Sequence, residues 1–299
     1  MDAGKSQSGE IILLVKRVII LFFLVLFFSS CGKETPVYHT WQSLKEMKYG
    51  DPIPPLSDEV PPSEFFPWAG TVSHHLLAHE YIDAWFMRLA RMRHVSCFYI
   101  LCPSHWGFST EPYSLTNGSW ASDYGLVQSD KEKVRKLAKT LEVGLDNRVF
   151  DVEHGASTLM PYIKKYFPKA AVVVVAYEGE APVNVPKNTK LADALENAFD
   201  KKGKRKNFLL ISTDFSHHGD LELTEKRDSY SLRYLKNPAD TSWYMVGCDN
   251  APGIFVLDRL GKNNLESFIL YHTNSWEISN EWAHDVTSYF FVYMGDKKQ

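Results

Sequence analysis

Three apolar runs in this chain each break off into histidine. Val72-Ser-His74-His75-Leu-Leu-Ala-His79 follows the first, Pro103-Ser-His105-Trp-Gly107 the second, and Asp214-Phe-Ser-His217-His218-Gly219 the third. The chain holds eleven histidines, and these clusters account for most of them. Imidazole nitrogen suits zinc, copper or iron, whereas all-oxygen donor sets suit magnesium or calcium, so the chemistry on offer is that of a transition metal. Cys248, in Val246-Gly-Cys248-Asp-Asn-Ala-Pro-Gly253, adds a thiol just ahead of an apolar helical stretch, where unpaired backbone N–H groups would favour its thiolate. Each piece also has a plain structural reading. His74 and His75 can cap a helix, Pro103 and Gly107 can punctuate a turn, Asp214 and Ser216 have the chemistry of an Asx turn, and Cys248 can be an inert buried thiol. The shared position of the three clusters, just past the carboxyl ends of apolar strands, is what favours a site. In parallel α/β sheets ligands bind at that edge.

The elements that must position these residues are legible as alternating patterns. Short β-branched or aromatic runs predict strands at Gly70–Ser73, Ser96–Cys102, Ala171–Tyr177, Asn207–Thr213, Ser267–His272 and Ser288–Met294. Amphipathic stretches predict helices at Leu77–Arg93, Asp130–Leu141, Thr158–Phe167, Lys190–Lys201, Leu223–Leu235 and Gly253–Leu260. Strand–helix alternation with continuously apolar strands implies an α/β fold, its central sheet mixed but largely parallel and flanked by helices. The last two strands, with no long helix between them, are expected to be antiparallel. Cys97 reads as core, and Cys102, three residues before His105, as a weak candidate for the site wall. Glu153-His154-Gly155 opens a helix containing Pro161 and offers His154 as a further pocket residue. His272 is placed to reach the rim, and His39 and His94 receive no role.

The 299 residues are 44% hydrophobic and 23% charged, with a net charge of −3, so no broad basic surface for nucleic acid is expected. The run Lys201–Lys206 reads as a solvated turn at a helix end. Lys16 and Arg17 precede an apolar run from Val18 to Phe28, then Ser29, Ser30 and Cys31. That order is a signal peptide over residues 1–31 ending in a lipobox, with Cys31 as the lipidated residue; the run is short for a transmembrane span. The polar Met1–Leu14 ahead of it suggests that translation begins near Val15. Residues 32–67 carry seven prolines and read as a tether, leaving 68–299 as the folded domain. The expected location is the cell envelope, lipid-anchored, with the domain outside the cytoplasm; Gly32 rather than Asp after Cys31 favours the outer membrane in a Gram-negative host. With Cys31 consumed, three cysteines remain, which no disulfide framework fully satisfies.

Ser73-His-His-Leu-Leu-Ala, Cys102-Pro-Ser-His, Glu153-His with Pro161-Tyr162, Asp214-Phe-Ser-His-His-Gly and Gly247-Cys248 occur in an order that resembles the Memo family, in particular the bacterial branch called AmmeMemoRadiSam system protein B. The resemblance covers about Gly70 to Met294. It implies a fold like the class III extradiol dioxygenases and a redox metal, iron or copper with zinc as a third choice, on His74, His105 and Cys248. It further implies His217 and Asp214 as catalytic residues, His75, His154 and His218 in the pocket, and a radical-SAM system partner. Three departures stand out: Ser73 in place of the usual proline, Cys102 in place of glycine, and Ser157 and Leu159 where Glu and Gln are common.

Three functions compete on this reading. A non-haem iron or copper oxidoreductase would use open metal positions for a small-molecule substrate, with His217 as general acid/base. A surface module that binds metal or ligand without turnover, for copper sequestration or an accessory role, would use the same donors. A hydrolase with Cys248 as nucleophile needs a histidine partner and has no local signature.

Overall fold

The computed structural model describes residues 35–40, 43–56, 60–179 and 182–298. The leader and Cys31 lie outside the described residues. Among those described, no helix is long and apolar enough to cross a membrane. In chain order the strands are β1 (Val37–His39), β2 (Pro67–Val72), β3 (Cys97–Pro103), β4 (Ser114–Leu115), β5 (Ser119–Ser122), β6 (Gly125–Gln128), β7 (Ala171–Tyr177), β8 (Asn207–Ser212), β9 (Phe215–Gly219), β10 (Leu265–Asn274) and β11 (Val286–Asp296). The α-helices are α1 (His79–Met92), α2 (Lys131–Leu141), α3 (His154–Ser157), α4 (Met160–Tyr166), α5 (Val185–Leu195), α6 (Gly203–Lys206), α7 (Leu221–Lys236), α8 (Ala251–Gly261) and α9 (Ser275–Ser279).

The main sheet runs β10-β11-β2-β8-β3-β7-β4, with β9 paired to β11 beside it. β2, β8, β3 and β7 are mutually parallel. β10 and β11 are antiparallel to each other and β11 is antiparallel to β2, so the sheet is mixed around a parallel centre, as the pattern predicts. The central strands read as unbroken apolar runs because both faces are covered. Alternation splits each strand between two layers. Phe98, Ile100, Phe208 and Leu210 pack with Trp85, Phe86 and Leu89 of α1 and Tyr162 of α4. Tyr99, Leu101, Leu209 and Ile211 pack with Val134 of α2, Leu191 of α5 and Ile254 of α8. Cys97 lies in this second layer, as core. Gly70 admits no side chain: a Cβ there would lie 2.3 Å from the Val292 carbonyl oxygen, against Trp85.

A second sheet, β1-β5-β6, begins inside the stretch read as a tether. β1 pairs with β5 in parallel, Tyr38 is 3% exposed, and its hydroxyl is 2.6 Å from Thr116 Oγ1. Farther along, Leu44 is buried, His79 Nε2 bonds the Lys48 carbonyl at 2.7 Å, and Leu56 N–H donates to the Leu270 carbonyl. Aromatic and leucine side chains anchor this proline-rich segment to the domain.

Candidate metal centre

Parallel register brings the three histidine clusters to one edge. Val72 at the end of β2 pairs with Ser212 at the end of β8, and Thr213 N–H donates to the Val72 carbonyl. β3 continues beside β8, so His105 emerges next to His74 and Asp214. The ring centroids of His74 and His105 are 4.9 Å apart, those of His74 and His154 5.2 Å, and those of His105 and His154 4.1 Å. Two groups bring donor atoms within 4.8 Å of one another: His74, His105 and His154, and His74, Asp214 and Asp249.

Each principal imidazole is gripped on one side. His74, 3% exposed, is hydrogen-bonded through Nδ1 to Ser212 Oγ at 3.0 Å. His105 Nδ1 lies 2.6 Å from Glu153 Oε1, and Glu153 also accepts the backbone N–H groups of His105 and Gly155, each at 2.8 Å. His217 Nδ1 meets Thr287 Oγ1 at 3.4 Å, while Arg227 Nη1 donates to the His217 carbonyl at 2.7 Å. Ser216, at φ 20°, turns the chain there, and its hydroxyl donates to the buried Asp228 carboxylate at 2.6 Å. The three Nε2 atoms then face one oxygen, Asp249 Oδ2, at 3.2 Å (His74), 3.7 Å (His105) and 3.6 Å (His217). Asp249 Oδ1 is held by Thr213 Oγ1 at 2.8 Å and the Asp214 N–H at 3.0 Å.

The electrostatics follow from this crowding. Burial opposes protonation of His74, but the Asp214 and Asp249 charges outweigh it and raise its pKa. His105, likewise opposed by burial, is raised to about 9 by the nearby Asp249 carboxylate and its bond to Glu153. His154, with burial and the charges of His74 and His105 against it, falls to about 4. Burial works against ionisation of Asp249, yet the charge at His74 and the neighbouring His105 and His217 rings hold its carboxyl well below the ordinary range. Asp249 Oδ2 and His217 Nε2 are buried with no hydrogen-bond partner among the described residues. Orphaned polar atoms of this kind normally mark water or an ion, and these donors fit a transition metal.

The structure resolves several sequence expectations. Of the doubled histidine, His74 faces the centre, while His75 turns to Tyr289 Oη at 2.6 Å. His154 lies beside the His74 and His105 rings. His218 is not: its side chain is 82% exposed and pairs with Asp285 at 3.0 Å, because φ 55° swings it outward. Asp214 is buried and accepts from Ser73 Oγ at 2.5 Å, so His217 is oriented by Thr287 and α7 rather than by Asp214. Cys248 joins neither donor group. Its side chain packs against the second apolar layer, and burial, then the Asp249 charge, push its thiol up to about 12. The thiolate expected at a helix start is therefore not favoured. Cys102 is buried in the first layer. His272 bonds Asp228 at 2.9 Å and stacks on Phe290, supporting the site from behind. Sequence reasoning reads Glu153 beside His154 at a helix start and not as the residue that orients His105, and it passes over Asp249, next to the more conspicuous cysteine.

A cavity of about 580 Å³ opens beside the centre, lined by His105, Asp249, Ser104, Glu111, Glu178 and Lys187 among others. A mixed sheet with imidazole and carboxylate groups gathered over its strand ends, next to a small-molecule-sized cavity, makes this an α/β protein with a candidate ligand site. Residues 72–251 match the family model described as Memo-like protein, and the chain belongs to that family. It is 24% identical over 186 residues to a MEMO1 family protein of Caldivirga maquilingensis, covering 62% of this chain and 63% of that one. It is 25% identical over 193 residues to one from Saccharolobus islandicus, covering 60% and 66% respectively. A Pyrobaculum aerophilum MEMO1 family protein is 25% identical over 153 residues, covering 50% and 53%. The chain thus spans between about half and two thirds of the length of these curated relatives.

Proposed function

We propose that this protein is a lipid-anchored envelope metalloenzyme of Memo type that carries out redox chemistry on a small molecule. The observation that carries this reading is the convergence of the His74, His105 and His154 rings, of which His105 also lines the 580 Å³ cavity. Iron or copper bound to imidazoles there would supply one-electron chemistry and Lewis acidity. The chain's own residues do the rest. Glu153 takes the proton of His105 Nδ1 in a hydrogen bond, fixing the tautomer whose Nε2 lone pair faces the centre. His217, partly exposed and held by α7, moves a proton at Nε2. The cavity wall, with Glu111, Glu178 and Lys187, suits a polar substrate. The anchor is supported by Lys16-Arg17, the apolar run to Phe28 and Ser29-Ser30-Cys31.

The test is metal analysis of the protein purified without chelators, followed by oxygen uptake across a panel of small polar and catechol-type substrates. Bound iron or copper, lost in His105→Ala, with substrate-dependent oxygen uptake is the expected result. Metal without turnover across the panel would instead make it a binding module. Protein free of transition metal, unable to take any up, would refute the reading.

A further inference from the structure

We propose that the protein carries a second ligand site, sharing no residue with the histidine centre, in which Arg88 and Arg91 hold the phosphate of a small phosphomonoester. The site is a cavity of about 500 Å³ between one face of α1 and the chain at 49–53. Glu80, Asp83, Ala84, Met87, Arg88 and Arg91 recur every three or four residues or in steps of one, so they share one face of the helix and line the space together. The opposite wall, Tyr49 to Ile53, lies outside residues 72–251 that match the family model. That wall is pinned at both ends. Tyr49 packs edge-on against His79 at 5.2 Å and the Gly50 N–H donates to Glu80, while the Ile53 carbonyl accepts from Tyr271 Oη at 3.3 Å. Between the pins the chain stands off the helix and leaves a space of the size that small-molecule sites have.

The charges around this space do not cancel. Glu80 is spent on Gly50, and Asp83 on Lys165 Nζ and Tyr166 Oη, each at 2.7 Å. Among the described residues, Arg88 gives only Nε to the protein, to Tyr271 Oη at 2.7 Å, and the Arg91 side chain gives nothing. Asp51, exposed on the opposite wall, pairs with neither. Position near the carboxyl end of α1 accounts for the sign of these two residues. It does not account for their being left together: one turn apart they repel each other, and no described carboxylate offsets that. Guanidinium forks match the oxygens of an oxyanion. A carboxylate is filled by one fork, whereas the three terminal oxygens of a phosphomonoester take two. Tyr49, Ile53 and Met87 then supply contact for an apolar body.

Isothermal titration of the full chain, stripped of metal by a chelator, with phenyl phosphate, inorganic phosphate and phenol tests the site without reference to the histidine centre. Phenyl phosphate is expected to bind, inorganic phosphate to bind more weakly, and phenol not to bind. Arg91→Gln, at an exposed side chain with no bond to lose, is expected to weaken phenyl phosphate about tenfold or more. Arg88→Lys, which keeps the charge but not the fork, is expected to do the same. Sedimentation with phosphatidylcholine vesicles, with and without phosphatidic acid, distinguishes the source of the phosphate. Capture by the phosphatidic acid vesicles that is lost in Arg91→Gln would assign the site to a lipid headgroup, and binding of phenyl phosphate without such capture to a soluble ester. No binding of either, binding of phenol as tight as that of phenyl phosphate, or affinity unchanged in both arginine variants would overturn the inference.

Discussion

Replacing Glu153 by glutamine tests how far the centre depends on a residue that holds no metal itself. The carboxylate is 1% exposed and accepts three N–H groups: Oε1 takes His105 Nδ1 and the Gly155 amide, and Oε2 takes the His105 amide. Glutamine has one oxygen. The best arrangement keeps it at the Oε1 position, which sets the new NH2 against the His105 backbone N–H. One buried backbone donor and part of the amide group are then unsatisfied, at about 1–3 kcal/mol for such a group. The two surviving bonds also lose their charge assistance. The sum is a loss of roughly 2–4 kcal/mol in unfolding free energy, read by urea denaturation of metal-free protein. His105 would also lose the partner that fixes its tautomer, and metal affinity should fall about 10–100-fold, read by competition with a chromogenic chelator. Both readouts are needed, since a merely structural role would move stability alone. If Glu153→Gln unfolds at the wild-type midpoint and binds metal with wild-type affinity, the geometry assigned to His105 is incorrect.

Gly70→Ala would place a Cβ on the Val292 carbonyl in the middle of the sheet; a loss of about 1–3 kcal/mol or more is expected in urea unfolding. His217→Ala should lose substrate-dependent oxygen uptake while keeping its metal, whereas His218→Ala, at a side chain 82% exposed, should keep both; metal analysis beside oxygen uptake separates them. Tyr38→Ala, removing a ring packed on Trp120 and Phe150, should cost about 3–5 kcal/mol in urea unfolding; almost no loss would refute the anchoring of β1. Asp130 caps α2 by accepting from Lys133 N–H, and although partial burial opposes it, the Lys133 bonds hold its pKa below the ordinary value. Its depressed pKa means that the stabilisation is complete above the unfolded value and lost as pH falls through the folded one. Asp130→Ala should therefore destabilise by about 1 kcal/mol at pH 7, with the gap to wild type closing in urea titrations below about pH 4.

What could be read in advance depended on whether a residue's role was local. The six apolar runs predicted as strands all form strands, because burial on both faces leaves a signal no partner choice can erase. β9 was invisible: Phe215-Ser-His-His-Gly has no alternation and pairs irregularly, through Phe215 and Gly219 with β11 and through the Cys248 bridge. β5 and β6 are short and mixed in polarity, and β1 hid within a proline-rich stretch, its place set by Tyr38. At the site, His74 and His105 were legible as strand-end histidines. Asp249 and Glu153 were not, since acidic residues before helices are common for reasons of capping alone. Only the meeting of β3, β8 and the loop before α8 shows what they face.

The strapping of Tyr38, Leu44 and Leu56 to the domain changes what a truncation ahead of Pro67 would do. Such a cut would remove a strand and a buried ring rather than a spacer, and would leave Trp120 and Phe150 facing water.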